Sequence, residues 1–436
     1  MELADRISKV SLEKFDSLPK TGKPNADFQW TILSAIVKVE SNNVDSNVEV
    51  VALGTGTKCL GSTQLSDKGD ILNDSHAEVL ARRGFVRYLL KEMKSSLSKR
   101  SSIFDCSLES RKFILKKGIT FHFFTTHSPC GDASIYEQSD PSEDEPTTKR
   151  IKLTSDVSDI GSVVKSAHGM TGGKLIISDG DDLMAQNVGM IRTKPGKGVR
   201  TLSLSCSDKM AKWNVLGVQG SLLMSLLEEP VYLESIVFCD GTDHSREAME
   251  RALWKRWDVE LVKSTVNFPF RLNQPRISIA ANGKLFPLRK NRKVASEGKY
   301  QPAPGGIVWC SGVDNELEVE IGGRRQGVTR KNFGTPAARL KISKIELFSA
   351  FVAVTKELLA VRTVVAVDDG TNCSDAGMNL SSDAESDCSG LRYVDAKALS
   401  RAYREQWTML RSRVFRAWSE KPSGLLNFTL ETGSSA

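Results

Sequence analysis

No run of apolar residues in this sequence approaches the length of a bilayer span, which excludes a helical membrane protein. Disulfide-like spacing is also missing from the eight cysteines, and Met1-Glu2-Leu3-Ala4-Asp5-Arg6 has none of the apolar character of a secretory leader. Both absences predict a reducing intracellular compartment, nucleus or cytoplasm, in which thiols are free for metal or chemistry. A large excess of one charge is absent as well. With 60 basic against 53 acidic residues the chain carries +7, a mild balance that suits a polyanionic partner without requiring one. Apolar residues make up 40% of the 436, enough for a sizeable core, and the length allows one large α/β unit with insertions as readily as three small domains.

The chemistry is concentrated at three points. Asn73-Asp74-Ser75-His76-Ala77-Glu78 reads as a turn opening an amphipathic helix, because Val79, Leu80, Phe85, Val86, Leu89 and Leu90 follow at helical spacing. Pro129-Cys130 follows the apolar run Ile119 to Phe124, which reads as a buried strand ending at His127 and Ser128. His-x-Glu followed by Pro-Cys is most of the zinc nucleobase deaminase signature, in which a histidine and two cysteines hold the metal and the glutamate moves protons. The usual second cysteine stands three residues after the first, where this chain has Ala133. Cys206 is the replacement chosen from the other seven: Ser205-Cys206-Ser207-Asp208 carries helix-capping residues, and Met210, Trp213, Val215, Leu216 and Val218 follow. Its thiolate then lies near a helix N-terminus, which favours ionisation. Each piece has a plainer reading too, since Ser75-x-x-Glu78 alone is a capping box and Pro129-Cys130 alone is a turn with a small buried thiol. Of the other histidines, His122 reads as structural, His127 as substrate contact or strand cap, His168 as a loop residue and His244 as a cap or surface residue.

Gly56-Thr57-Lys58-Cys59, the His76 motif with Arg82-Arg83, Ser128-Pro129-Cys130-Gly131-Asp132-Ala133, Arg192-Thr193-Lys194-Pro195-Gly196, and Ser205 to Lys209 with Trp213-Asn214 and Gly220 to Leu223 resemble the adenosine deaminase domain shared by RNA-editing and tRNA adenosine deaminases. The resemblance runs from about Thr57 to Pro422. It implies an α/β, cytidine-deaminase-like layered fold with a central mixed sheet, flanking helices and C-terminal helical elements. It implies zinc on His76, Cys130 and Cys206, Asp74 behind them, and Glu78 carrying protons while water replaces the amino group at C6 of adenine. Thr57, Lys58, His127, Lys194 and Lys197 are the candidates for touching substrate. The family buries an inositol hexakisphosphate; on matching positions its contacts are Asn73, Arg82, Arg83, Lys209, Lys212, Ser221, Lys344, Tyr393, Lys397, Tyr403, Trp418, Glu420 and Lys421. Where the family pattern has a further lysine, this chain has Trp407.

Two features choose between the family's branches. The loop Arg192 to Gly198 is short and basic, without the longer stretch that extrudes a base from a duplex, and only about fifty residues precede the catalytic region, too few for a double-stranded RNA-binding domain. Both point to the anticodon stem-loop of tRNA, namely adenosine 37 beside the anticodon of alanine tRNA, with no obligate protein partner. Editing of double-stranded RNA and non-catalytic tRNA binding are the alternatives.

In chain order, residues 1–24 read as an N-terminal tail, 25–425 as a single deaminase domain, and 426–436 as a C-terminal tail. Asp27 to Glu40 reads as a helix and Val48 to Leu53 as the first strand; Leu175 to Ser178 and Ser235 to Cys239 are further strands. Asp243 to Trp257, Lys344 to Ala360 and Val394 to Trp418 read as helical, and Ala133 to Gln138 as helix-like. Polar, charged segments at 139–170 and 368–390 are expected to be disordered insertions, the first holding Lys149-Arg150-Ile151-Lys152, a solvated charge cluster or weak nuclear import signal.

Overall fold

The computed structural model describes every residue except 42–45, 108, 137–173, 176–187, 196–198, 200, 282, 293–299, 369–389 and 431–436. Its centre is a mixed sheet of eight strands, here β1 (Leu33–Ser41), β2 (Ser46–Thr55), β3 (Ile119–Thr125), β4 (Leu233–Phe238), β5 (Arg276–Ile279), β6 (Gly305–Cys310), β7 (Leu317–Ile321) and β8 (Arg324–Arg325). The spatial order is β5-β4-β3-β1-β2-β6-β7-β8. β3, β4 and β5 run parallel, whereas β1 is antiparallel to both β3 and β2, and the hairpins on the other edge are antiparallel throughout.

β1 is the first departure from expectation, because the segment read as a helix from Asp27 to Glu40 is the central strand. Leu33, Ala35, Ile36, Val37 and Val39 are all buried. A strand covered on both faces reads as a continuous apolar run, and Ile32, Leu33, Ile36 and Val37 imitate helical spacing by accident. Leu33, Ala35 and Val37 face one side, while Ile36 joins Phe121 and Phe123 on the other.

Two helices cover those faces. α1 (Leu3–Ser17) lays Ile7, Leu12 and Phe15 on Leu33, Ala35, Val37 and Phe124, with the Phe15 and Phe286 rings 5.5 Å apart edge to face. Residues 1–24 therefore hold part of the core, where the sequence reading had a tail. α2 (Ala77–Leu97) packs Phe85, Val86, Leu89 and Met93 against the opposite face and against α4 (Lys344–Asp368). Between them in sequence comes α3 (Cys206–Leu216), and α5 (Arg401–Arg413) follows.

The remaining elements follow the sequence reading with local changes. Asp243 to Trp257 is helical only from Arg246, and its second half, Arg251–Lys255, is a π-turn. Among the described residues Asp132–Ser134 forms the helical turn where a helix was expected from Ala133 to Gln138, and of the strand expected from Leu175 to Ser178 only Leu175 is described, in Lys174–Leu175. The expected insertions at 139–170 and 368–390 lie outside the described residues apart from Asp368, the last residue of α4, and Gly390. Part of the expected C-terminal tail is packed, because Phe428 is buried and stacks on Tyr393 at 4.8 Å. Among the described residues no helix is long and apolar enough to cross a membrane.

Candidate active site and adjoining cationic cavity

β3 and the start of α2 bring the first two points together. Thr57–Cys59 pairs antiparallel with Asp74–His76, and the pairing delivers His76 to the N-cap of α2. Gly56 makes this approach, since a Cβ there would stand 2.3 Å from the Ser75 carbonyl oxygen. The capping box suggested by Ser75 and Glu78 does not form, as His76 occupies the cap and no side chain caps it. Glu78 is thereby released to point inward.

Cys130 leaves the end of β3 through Gly131, whose φ of 104° is left-handed and whose absent Cβ leaves room for Ser205 and Ser207. The Ser207 amide donates to the Cys130 carbonyl at 3.1 Å, and the Cys206 amide points at Cys130 Sγ at 3.4 Å. Ser205 caps α3 by accepting from the Asp208 amide, which sets Cys206 as the first residue of that helix. His76, Cys130 and Cys206 therefore converge, with one ligand atom from each all within 4.8 Å of one another. His76 Nδ1 lies 3.8 Å from Cys130 Sγ and 3.7 Å from Cys206 Sγ. One imidazole and two thiols at this spacing make a donor set that suits zinc and leaves a fourth position open.

Around the cluster the electrostatics are tightly organised. Accepting a hydrogen bond from Cys206 holds the Cys130 thiol well below its ordinary range, with Lys194 adding to the effect against burial. Burial alone would discharge Lys194, but Asp74 and the two thiols outweigh it and keep the ammonium charged. Its Nζ stands 2.9 Å from Asp74 Oδ1 and 3.0 Å from Cys206 Sγ, and its side chain is wholly inaccessible. Lys194 was expected at the substrate; it is instead a buried counter-charge behind the ligands, and Lys197 lies outside the described residues. Asp74 pairs with Lys209 as well, and against burial the two lysines and His76 hold it far below the ordinary carboxylate range.

Glu78 is 1% exposed, and its Oε2 has no hydrogen-bond partner. Burial raises its pKa, opposed by His76 and Lys194. A buried carboxylate oxygen with nothing to bind costs about 1–3 kcal/mol or more, so it is placed for something that enters the site. The Thr57 hydroxyl, across the pairing from His76, is likewise buried and unpartnered. His127 is half-buried, and burial followed by Lys290 lowers its pKa to about 4, which leaves the ring neutral at pH 7. The other histidines are structural: His122 bonds Ser235 at 2.7 Å, and His244 stacks on Phe238, while His168 lies outside the described residues.

Asp132 ties this region together. It accepts from the Gly189 amide at 2.6 Å and from Arg251 Nε at 3.1 Å, so the chain leaving the cluster and the chain returning to it are fastened at one carboxylate.

On the far side of Asp74 lies a second concentration of charge. Arg82 and Arg83 extend from α2, Lys209 and Lys212 from α3, Lys344 from α4, and Lys397 and Lys421 from the C-terminal elements. Among the described residues, none of these except Lys209 has a carboxylate partner. Burial, then Lys421, Arg83 and Lys397, brings Lys344 down to about 7; burial, then Lys209, brings Lys421 to about 8. Lys212 falls well below the ordinary lysine range through burial and through Lys397, Arg82 and Arg411. Arg82, Arg83, Lys209, Lys212, Lys344 and Lys397 are half-buried and Lys421 is exposed, so the seven cations crowd around one space that solvent reaches. Both polar atoms of the Asn73 side chain are buried there without partners.

Three aromatic rings face Lys212: its Nζ is 3.5 Å from the Trp407 centroid, 5.4 Å from Trp418 and 5.8 Å from Tyr403. Tryptophan at 407 thus offers a cation–π face to a lysine instead of adding another positive charge. Ser221 donates to the Lys397 carbonyl at 2.8 Å, and Tyr393 lies 5.6 Å from Lys397 Nζ. Glu420 is the outlier among the expected contacts, being 70% exposed and paired with Arg411.

Residues 52–422 match the adenosine-deaminase (editase) domain. The chain is 40% identical over 425 residues to a Drosophila melanogaster protein, tRNA-specific adenosine deaminase 1, covering 97% of this chain and 96% of that one. It is 32% identical over 515 residues to the Mus musculus protein of the same name, covering 97% and 99%. The Drosophila melanogaster double-stranded RNA-specific editase Adar is 32% identical over 390 residues, but the match covers 80% of this chain and 52% of the editase.

Proposed function

The chain belongs to the adenosine-deaminase (editase) domain family, and on that premise we propose that it converts adenosine to inosine in tRNA, at adenosine 37 beside the anticodon of alanine tRNA. It is an adenosine deaminase. The observation carrying the mechanism is the unpartnered buried oxygen of Glu78 beside the His76, Cys130 and Cys206 cluster. Those three residues would hold one zinc ion, which when bound lets a water ionise near neutral pH. Glu78 takes one proton from the attacking water and delivers it to the ring nitrogen of adenine, then takes the second from the hydroxyl now on C6 and passes it to the amino group, which leaves as ammonia as the C6 carbonyl forms. Thr57 and His127 line the approach and orient the base, while Lys194, held by Asp74, sets a positive charge against Cys206 Sγ.

The choice of tRNA over duplex RNA rests on the relatives that match this chain from end to end and on the short loop beginning at Arg192. A base in a tRNA loop needs less unstacking, so a short basic loop suffices. We assign the fold to the cytidine-deaminase-like layered type, extended by α4 and α5, and take 25–425, with α1 and Phe428 packed onto it, as one deaminase unit. In the cationic cavity, Arg82, Arg83, Lys209, Lys212, Lys344, Lys397 and Lys421 would hold an inositol hexakisphosphate, which replaces mutual repulsion with charge-assisted hydrogen bonds.

The test is inosine formation by the purified protein on an alanine tRNA transcript, with a long RNA duplex and Glu78→Ala in parallel. Inosine beside the anticodon, absent from the duplex and the variant, is the expected result. Activity on the duplex moves the chain to the editing branch, and tRNA binding without inosine makes it a binding protein. Mass spectrometry of the denatured protein should release one inositol phosphate per chain.

A further inference from the structure

Between Glu320 and Glu346 the chain has seven basic residues and no acidic one. Three of them have evident duties, as Arg339 is buried, Lys341 pairs with Glu346 and Lys344 lines the cavity. The other four, Arg324, Arg325, Arg330 and Lys331, lie on the hairpin β7–β8 and the turn after it. Arg325, Arg330 and Lys331 are exposed, and among the described residues none of the four has a carboxylate partner. Phe333 joins them, 45% exposed, with the Arg324 guanidinium 4.5 Å from its ring centroid. An exposed phenylalanine held by a stacked arginine, among unpaired cations, offers what single-stranded or looped RNA needs: a flat apolar face for a base and positive charge for phosphates.

The position of this hairpin gives it a purpose. The Leu72 amide donates to the Gly323 carbonyl at 2.9 Å, so the hairpin is rooted on the segment that runs directly into His76. Four residues of extended chain reach at most about 14 Å, which bounds the distance from that root to the metal ligand. The same segment begins at Gly61, where an added methyl would lie 3.3 Å from Val199 of the loop beyond Lys194. The hairpin and Val199 thus both touch the segment that leads into His76.

We propose that the Arg324–Phe333 hairpin is a second RNA-docking surface, gripping the tRNA backbone beside the loop that enters the active site and stacking one base on Phe333. The proposal rests on the tRNA reading above. Each phosphate contact releases counterions, so log K falls with log salt by about 0.7–0.9 per contact.

The experiment measures tRNA affinity of the full chain against potassium chloride concentration for the wild type, for Arg325→Ala/Arg330→Ala/Lys331→Ala, and for Phe333→Ala. A control, Lys99→Ala/Arg100→Ala/Lys117→Ala, removes three exposed cations about 30 Å away at the other end of α2. The hairpin triple variant should bind at least tenfold more weakly with a salt slope lower by about 2–3, keep kcat at saturating tRNA, and raise KM. Phe333→Ala should weaken binding with an unchanged slope. An unchanged slope and KM in the hairpin variant, with wild-type turnover intact, removes this proposal alone, as does an equal loss in the control. A wild-type protein that neither binds nor deaminates tRNA removes the tRNA reading along with it.

Discussion

Replacing Lys344 by methionine changes stability with a sign that depends on what fills the cationic cavity. Lys344 sits near 7, against an ordinary 10.5, because of burial followed by Lys421, Arg83 and Lys397. Without an anion, folding at pH 7 must discharge this side chain or carry its charge unpaired, a cost of about 4 kcal/mol from the shift taken at face value. Lys344 is only half-buried and solvent screens its charge, so methionine should then stabilise the protein by about 1–3 kcal/mol. With an inositol phosphate present, the same ammonium makes a charge-assisted hydrogen bond, and methionine removes about 1.5–3 kcal/mol. Dependence on pH separates the cases again. In the anion-free protein the unfolded chain binds more protons between pH 7 and 10.5, so wild-type stability rises with pH through that window and the advantage of methionine fades. Our reading predicts destabilisation in urea unfolding at pH 7, together with loss of inositol phosphate from the denatured variant. Stabilisation at pH 7 that disappears toward pH 10 refutes it.

Glu78→Gln keeps the shape of the side chain but not its proton transfer, so turnover should drop by about 10²–10⁴-fold or more while zinc content stays at one per chain; a rate within tenfold of wild type excludes Glu78 from the reaction. Gly131→Ala forces a left-handed φ on a residue whose Cβ would lie 2.2 Å from Ser205 Oγ. It should lower stability by about 1–3 kcal/mol and reduce bound zinc, measured by thermal unfolding and elemental analysis, and wild-type zinc content would show that Cys130 does not depend on this turn. Phe15→Ala should cost about 3–5 kcal/mol in urea unfolding, whereas a change below 1 kcal/mol would make α1 an accessory.

The convergence of His76, Cys130 and Cys206 was legible because each stands at a marked local boundary: His76 before a periodic apolar helix, Cys130 after an apolar strand, Cys206 behind a serine cap. Local chemistry announces itself locally. Lys194 was misread for the opposite reason, since its partner Asp74 is 120 residues away and a lysine in a glycine-containing loop looks solvated until that partner is known. β1 was misread because burial on both faces erases the alternation that identifies strands. The polar first turns of α1 hid its role too, although Ile7, Leu12 and Phe15 are spaced for one buried face. The hairpin at Arg324 went unread in the sequence; its place beside the segment leading into His76 came from the Leu72–Gly323 hydrogen bond.

The Asp132 fastening decides where motion in this protein stops. One carboxylate accepts from the Gly189 amide and from Arg251, and Arg251 also donates to the Asp132 and Ile135 carbonyls, so the backbone that leaves Cys130 is tied to the π-turn at Arg251–Lys255. Opening the chain next to Cys130 therefore means breaking several bonds at once, and a fluctuation that starts farther along meets them before it reaches the thiol. The Gly189 amide, 57 residues from its acceptor, becomes a clock for the cluster: the rate at which it exchanges its hydrogen reports how often that grip is released.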